Sequence, residues 1–164
     1  MGFLAFSTMA EAGPAGVRPI RTILLATDLT AASREATARA IDLASHLDAR
    51  LLIVNVLEQR RLSGGGSHDR VDQARSERES HLVKVVRDAR NAGVTAEFLV
   101  WEGEPGSSIA AAAEAEHADL VVVGTRGRSG AERMLLGSVS DHVVRHAECP
   151  VLVVRPSTRH AESA

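Results

Sequence analysis

The sequence predicts an α/β domain built on an open five-stranded parallel β-sheet. Short runs rich in Val, Ile and Leu alternate along the chain with longer segments of helical periodicity, as expected of repeated strand and helix crossovers. One such run, at 120–123, ends directly in a glycine-rich segment. The 164 residues fit a single domain, since a domain of this size buries roughly 70% of the surface that its unfolded chain exposes.

The first half of the chain predicts two strands and two helices. Apolar runs place the strands at 20–26 and 51–57. The helix that follows Thr30 carries one apolar stripe: Ala36, Ala40, Ile41, Ala44 and Leu47. SGGGS at 63–67 predicts a flexible loop before a long helix over 69–92, which Gly93 ends. The inward side chains of that helix are predicted to be Val71, Ala74, Leu82, Val85 and Ala89.

The second half predicts three further strands and two helices. The strands are placed at 94–101, 120–123 and 151–155. Pro105 suits the first turn of a helix, because its missing N–H would have no partner there. Apolar residues follow it at helical spacing: Ile109, Ala112, Ala113 and Ala115. Another helix is predicted from Ser138 to about Ala147.

Three glycines at fixed intervals follow the fourth strand. Gly124, two residues, Gly127, nine residues, Gly137 and then Ser138 make up the pattern. Glycine has no Cβ, so we expect Gly124 and Gly127 to take φ > 0 and turn backbone amides toward an anion. Ser138, with Asp141 three residues on, predicts an N-cap whose helix leaves free N–H groups facing the same space. The pattern therefore predicts a phosphate site.

This spacing is neither a Walker A loop nor the GxGxxG dinucleotide motif. GTRG at 124–127, then nine residues and GS, followed by CPVLVVRP at 149–156, resembles the nucleotide-binding branch of the universal stress proteins. ILLATDLT at 23–30 and LLIVNVLE at 51–58 extend the resemblance, which covers about residues 19–156. It implies a Rossmann-like fold similar to the adenine nucleotide alpha hydrolases, with strand order 3-2-1-4-5 and helices on both faces.

The implied order makes strands one and four neighbours, and ligands of open α/β sheets bind at the carboxyl ends of strands where the order reverses. The candidate nucleotide-binding residues are Ala26, Thr27, Asp28, Val56, Gly124, Arg126, Gly127, Gly137, Ser138, Val139 and Ser140. Asp28 offers an acceptor-only carboxylate for a ribose hydroxyl or, less directly, for a metal held by phosphates. The alternative is that Asp28 caps a helix or turn.

The resemblance also implies individual roles. It places Val56, with Val54 and Asn55, against adenine, where backbone N–H and C=O groups read the base edge. Family members often have His at position 55 and Pro at position 26, but neither change removes a backbone contact. Arg126 and Gly127 are implied phosphate contacts, although arginines in a loop are commonly just solvated. The Ser138 and Ser140 hydroxyls could donate to phosphate oxygens.

The function predicted on this basis is a nucleotide-dependent regulator of the stress response that binds ATP with Mg²⁺. The resemblance implies a homodimer formed through the edge strand 151–155. No catalytic residue is predicted, because nothing resembles a nucleophile elbow or a pair of carboxylates at the cleft. Three alternatives stay open: a slow ATPase, a receptor for cyclic AMP or AMP in the same pocket, and an interaction scaffold with a vestigial site.

Composition limits the remaining classes of function. The net charge of −2, spread over interspersed charges, predicts no nucleic-acid or membrane partner. No apolar run approaches the ~20 residues of a membrane span. Cys149 is the one cysteine, which favours a reducing compartment and hence the cytoplasm. Residues 1–18 and 157–164 are expected to be tails, the first of them disordered. His142 and His146 are one helical turn apart, but no third zinc ligand is evident.

Overall fold

The computed structural model describes residues 18–58, 68–125 and 136–155. The strands are β1 (Thr22–Ala26), β2 (Arg50–Leu57), β3 (Ala96–Glu102), β4 (Leu120–Gly124) and β5 (Val151–Val154). The helices are α1 (Arg34–Leu47), α2 (His68–Asn91), α3 (Pro105–Ala115) and α4 (Ser138–His146), and a 3₁₀ turn at Ala31–Ser33 precedes α1. Within these ranges, the helices are too short or too polar to cross a bilayer.

All strand pairs are parallel, and the order across the sheet is β3-β2-β1-β4-β5. The predicted fold class and the order implied by the resemblance are therefore confirmed. The chain builds the sheet outward from β1 to β3 and then returns to the other side of β1. Ala26, at the end of β1, is in register with Val54 of β2 and with Val123 of β4. The residues that directly follow these strands therefore lie at one edge of the sheet.

Helices cover both faces of the sheet, as expected. On one face, Ala36, Ala40 and Ala44 of α1 pack with Leu82 and Ala89 of α2 over the central strands. On the other face, α3 and α4 cover alternate residues of the same strands. The chain is almost free of large aromatic residues, so close packing of small side chains brings the helices down onto the sheet.

Several predicted details are wrong. Leu47, which the sequence predicts on the buried stripe of α1, is 45% exposed, because the helix ends there and Asp48 takes a left-handed conformation with φ 51°. The first strand begins at Thr22 and not at residue 20. The edge strand stops at Val154, which leaves Arg155 exposed beyond it.

Helices α3 and α4 touch through a glycine. A Cβ added to Gly106, in the first turn of α3, would lie 2.7 Å from Cβ and from Cγ of His142 on α4. Glu104 caps α3 by accepting hydrogen bonds from the N–H groups of Ser107, at 2.8 Å, and Gly106, at 3.1 Å. The bond from Ser107, followed by that from Gly106, holds the pKa of Glu104 below its usual value. The capped end of α3 therefore fixes where α4 can lie.

We expect Gly106→Ala to destabilise the fold, because the new methyl group meets the rigid base of the His142 side chain. Overpacking costs about 1–3 kcal/mol, which outweighs the gain in helix propensity of at most about 1 kcal/mol. Urea unfolding followed by circular dichroism measures the difference. Ala111→Ser, at an exposed position of the same helix, is the control and should change stability by less than about 0.5 kcal/mol. A Gly106→Ala protein as stable as wild type would contradict the close contact.

Candidate functional site

The corner between β1 and α1 is fixed by its own polar side chains. The buried Thr27 hydroxyl accepts a hydrogen bond from Leu29 N at 3.1 Å and lies 3.0 Å from Ser33 Oγ. Asp28 Oδ1 accepts from Thr30 N at 3.0 Å and from Thr30 Oγ1 at 2.7 Å. These bonds hold Leu29 at φ 63°, a left-handed conformation that is unfavourable for a leucine. The corner is thus a strained turn held by its neighbours.

The two carboxylate oxygens of Asp28 have different environments. Oδ1 accepts the hydrogen bonds from Thr30 that form the turn, which is the alternative role predicted for this residue. Oδ2 is buried and has no hydrogen-bond partner within the described ranges. An unpartnered buried oxygen is costly and rare in native structures. Asp28 therefore combines a structural role with an acceptor that is open to a donor from a ligand.

The end of β2 lies next to this corner. The buried Asn55 side chain donates from Nδ2 to the carbonyl of Thr27 at 2.7 Å. Arg78 of α2 donates from Nη1 to Asn55 Oδ1 at 2.8 Å and lies 3.5 Å from the carbonyl of Val56. Val56 itself is half-buried and is in register with Trp101 of β3. The strand end that was predicted to read a base is thus connected to α2.

Arg78 was not predicted as a site residue. A signal for it exists, because Arg78 lies four residues before Leu82 and so continues the inward stripe of α2. A charged side chain on an apolar stripe needs a partner. Its partner Asn55 is 23 residues earlier in the chain, and nothing in the local sequence pairs them.

The start of α4 lies against the end of β4. Gly137 N donates to the carbonyl of Thr125 at 2.8 Å, and Thr125 N donates to the carbonyl of Val154 at 2.9 Å. A Cβ on Gly137 would be only 3.0 Å from that Thr125 oxygen. Gly137 therefore allows a close approach of backbone to backbone. The approach brings the first turn of α4 to the same sheet edge as Asp28.

The first turn of α4 has three backbone donors without a partner inside the helix. The N–H groups of Ser138, Val139 and Ser140 have no carbonyl to reach within the helix, and the N-cap residue, Gly137, has no side chain that could cap them. The first helical bond runs from Asp141 N to the carbonyl of Gly137, at 2.9 Å. Free amides and the positive end of the helix dipole favour an anion at this position.

Two predictions about this region need correction. Ser138 is not the N-cap: Gly137 takes that position, and Ser138 is the first helical residue with an exposed side chain. Gly124 ends β4 in register with Val154 and is not among the described glycines with positive φ, because it still belongs to the sheet. The Ser140 side chain is buried, and its hydroxyl donates to the Gly137 carbonyl at 3.0 Å, which stabilises the helix start.

Arg126 and Gly127 lie outside the described residues, as do the SGGGS loop and the other charged residues of the glycine-rich segment. The remaining predicted residues are described. Ala26 is buried at the end of β1. Thr27 and Asp28 form the corner beyond it, and Val56 is the penultimate residue of the neighbouring strand β2.

The other candidate groups form no site of their own. His142 and His146 stack with ring centroids 4.1 Å apart. Over the described ranges, no three side chains among His, Cys, Asp and Glu are placed to hold a metal ion. Cys149 is half-buried and forms no disulfide, and burial raises the pKa of its thiol, which disfavours the reactive thiolate.

Residues 19–155 match the model of the universal stress protein family. The chain belongs to this family. A universal stress protein of Methanocaldococcus jannaschii is 37% identical over 139 residues, which are 82% of each chain. A putative universal stress protein of Staphylococcus aureus is 38% identical over 142 residues, covering 82% of this chain and 84% of that protein.

Solved structures share the fold. The structure of hypothetical protein MJ0577 matches with a TM-score of 0.75 at 20% identity, covering 86% of this chain and 99% of that one. A universal stress protein in complex with cyclic AMP matches with a TM-score of 0.67 at 28% identity, covering 85% of this chain and all of that one.

Proposed function

We propose that this universal stress protein binds ATP with Mg²⁺ at the carboxyl edge of β1 and β4 and acts as a nucleotide-dependent regulator in the cytoplasm. The observation that carries the proposal is the buried Asp28 Oδ2 without a hydrogen-bond partner in the described part of the chain. Asp28 follows β1, which pairs with β4. Helix α4 begins beyond β4, and the N–H groups of its first turn make no bonds within the helix. We assign residues 19–156 to the binding domain and the segments on either side to tails.

The polar groups suit the parts of the nucleotide. Asp28 Oδ2 can accept from a ribose hydroxyl, and the backbone N–H and C=O of Val56 can pair with the adenine edge. The amides of Ser138, Val139 and Ser140 can donate to phosphate oxygens, together with Gly127 and Arg126. In this proposal, the phosphates would hold Mg²⁺, and Asp28 would act on the metal less directly than on the ribose. Ala26, Thr27 and Gly124 form the floor beneath the nucleotide.

A relative with bound cyclic AMP favours a second candidate, a receptor for cyclic AMP or AMP in the same pocket. Calorimetric titration of one preparation with ATP, AMP, cyclic AMP and GTP separates the two. The proposal expects ATP to bind more tightly than the other three nucleotides. Tighter binding of cyclic AMP or AMP would show that one of these, and not ATP, is the preferred ligand. If none of the adenine nucleotides binds, the proposed site is wrong.

We expect Gly137→Ala to weaken ATP binding by at least about tenfold, equivalent to about 1.4 kcal/mol. Its φ of −75° suits alanine, so the cause is steric: the methyl group pushes the first turn of α4 away from the Thr125 carbonyl. Calorimetry measures the change. The control is Val144→Ala, at an exposed position of α4 away from its first turn, which should bind within about threefold of wild type. Wild-type affinity in the Gly137→Ala variant would show that the start of α4 does not contribute to ATP binding.

We expect ATP turnover far below the enzyme median of about 10 s⁻¹, since among the described residues no carboxylate at the start of α4 is left unpaired to act as a general base. Asp141 is the carboxylate of that first turn, and its Oδ2 is paired with Arg145 Nε at 3.0 Å. A steady-state phosphate-release assay measures the rate. Enzyme-like turnover that disappears in Asp28→Ala would show that the protein is an ATPase and that Asp28 takes part in catalysis.

We also propose a homodimer through β5, over the predicted segment Val151–Arg155. Among the described strands, β5 pairs with β4 alone, and its four residues are all partly exposed. The carbonyls of Pro150 and Val154 accept hydrogen bonds from Val121 N and Thr125 N, toward β4. Because backbone groups alternate along a strand, those of Val151 and Val153 point to the open edge. A second copy can cover that edge by antiparallel pairing.

We therefore expect Val153→Pro to shift the protein from dimer to monomer, because proline removes an N–H that faces the open edge and not β4. Light scattering at micromolar concentration measures the molar mass, and circular dichroism checks that the variant is folded. Val153→Thr retains the N–H and the β-branched shape and should remain dimeric. A monomeric wild type, or a folded and dimeric Val153→Pro, would place the contact elsewhere.

A further inference from the structure

A chain of hydrogen bonds joins helix α2 to the corner that carries Asp28. Arg78 Nη1 donates to Asn55 Oδ1 at 2.8 Å, and Asn55 Nδ2 donates to the Thr27 carbonyl at 2.7 Å. Asn55 is 1% exposed, so water does not replace either partner. Both the oxygen and the NH₂ group of the buried Asn55 side chain are therefore hydrogen-bonded, and together they connect β2 to α2 and to the end of β1.

The two partners fix the direction of the amide. The guanidinium of Arg78 can only donate, and the carbonyl of Thr27 can only accept. Asn55 therefore has one orientation that satisfies both, with its oxygen toward α2 and its NH₂ group toward β1. Without Arg78, the buried Asn55 oxygen would lose this charge-assisted bond, and the same amide would no longer be held toward Thr27.

The Thr27 carbonyl lies directly before Asp28, and the next residue, Leu29, is in the left-handed region at φ 63°. A strained turn keeps its shape only if the surroundings determine it. The same Arg78 guanidinium lies 3.5 Å from the Val56 carbonyl. One side chain of α2 thus contacts both the support of Asp28 and the strand end proposed for adenine.

We propose that Arg78 and Asn55 are positioning residues for the adenosine half of the nucleotide. They hold Asp28 Oδ2 and the Val56 carbonyl in place without contacting the phosphates. This inference rests on the proposed function, since it assumes that ribose and base bind at Asp28 and Val56. It predicts that loss of Arg78 weakens ATP and AMP by the same factor, because the affected contacts do not include the phosphate groups.

The test is a double-mutant cycle measured by calorimetry with ATP and with AMP. Arg78→Met should weaken both nucleotides by about tenfold, the size expected for a hydrogen bond to a charged group. The double variant Asp28→Ala/Arg78→Met should bind no more than about threefold more weakly than Asp28→Ala alone, because without Asp28 only the effect of Arg78 on the Val56 carbonyl remains to be lost. Arg87→Met, at an exposed position of α2, is the matched control and should bind like wild type.

A merely structural role for Arg78 would lower the melting temperature and leave the two losses additive. The inference would be overturned if Arg78→Met bound ATP as tightly as wild type, or if its loss of affinity added in full to that of Asp28→Ala. In either case, ATP binding by the wild-type protein would still support the proposed function. Failure of the wild type to bind either nucleotide would instead refute the proposed function. If circular dichroism shows that Arg78→Met is unfolded, Arg78→Lys replaces it in the same cycle, judged by the same additivity.

Discussion

The parallel pairing of β1 with β4 is the constraint on which the site depends. Val123 is in register with Ala26, so the chain leaves both strands at the same height of the sheet. One exit becomes the Asp28 corner, and the other leads to the segment that returns at Gly137. Because the pairing is central and buried, neither exit can move without disturbing the core of the sheet.

The two exits carry opposite hydrogen-bonding character. The β1 corner is rich in acceptors: one Asp28 oxygen makes the turn and the other has no partner in the described ranges. The start of α4 is rich in donors, because helix geometry leaves its first amides unpaired. An adenosine phosphate has hydroxyl donors at its ribose and acceptor oxygens at its phosphates. The polarity of the sheet edge is therefore complementary to that of the ligand we propose, although the sheet itself is apolar.

Helix α3 contributes to this arrangement from a distance. Glu104 caps its first turn, and Gly106 lets the His142 side chain approach more closely than any residue with a Cβ would allow. The position of α4 is thus set by two close contacts, one between Gly106 of α3 and the His142 side chain, and one between Gly137 and the backbone of Thr125, just after β4. Both use glycine for close approach, and at Gly137 the backbone dihedrals are ordinary.

Periodicity was enough to predict the strands, the helices and the parallel sheet, because the apolar runs are short and separated by clear breaks. The strand order needed the family resemblance, since no local pattern states which strands pair. Ser138 was misjudged because a serine and a glycine can both occupy an N-cap, and the sequence has both in succession. The left-handed conformation of Leu29 is not predicted, because leucine rarely adopts it and the short polar side chains that hold it give no clear signal in the sequence. The bond between Arg78 and Asn55 is not predicted, because it joins segments 23 residues apart.

The scarcity of aromatic residues has a spectroscopic consequence. The chain has one tryptophan and no tyrosine, so its long-wavelength emission comes from a single side chain. That side chain, Trp101, is half-buried on β3 and is the register partner of Val56. Like Val56 and Leu99, it packs against the buried cluster on the face covered by α3 and α4. The native protein thus contains one intrinsic fluorophore, one strand away from the backbone groups that we propose read the base.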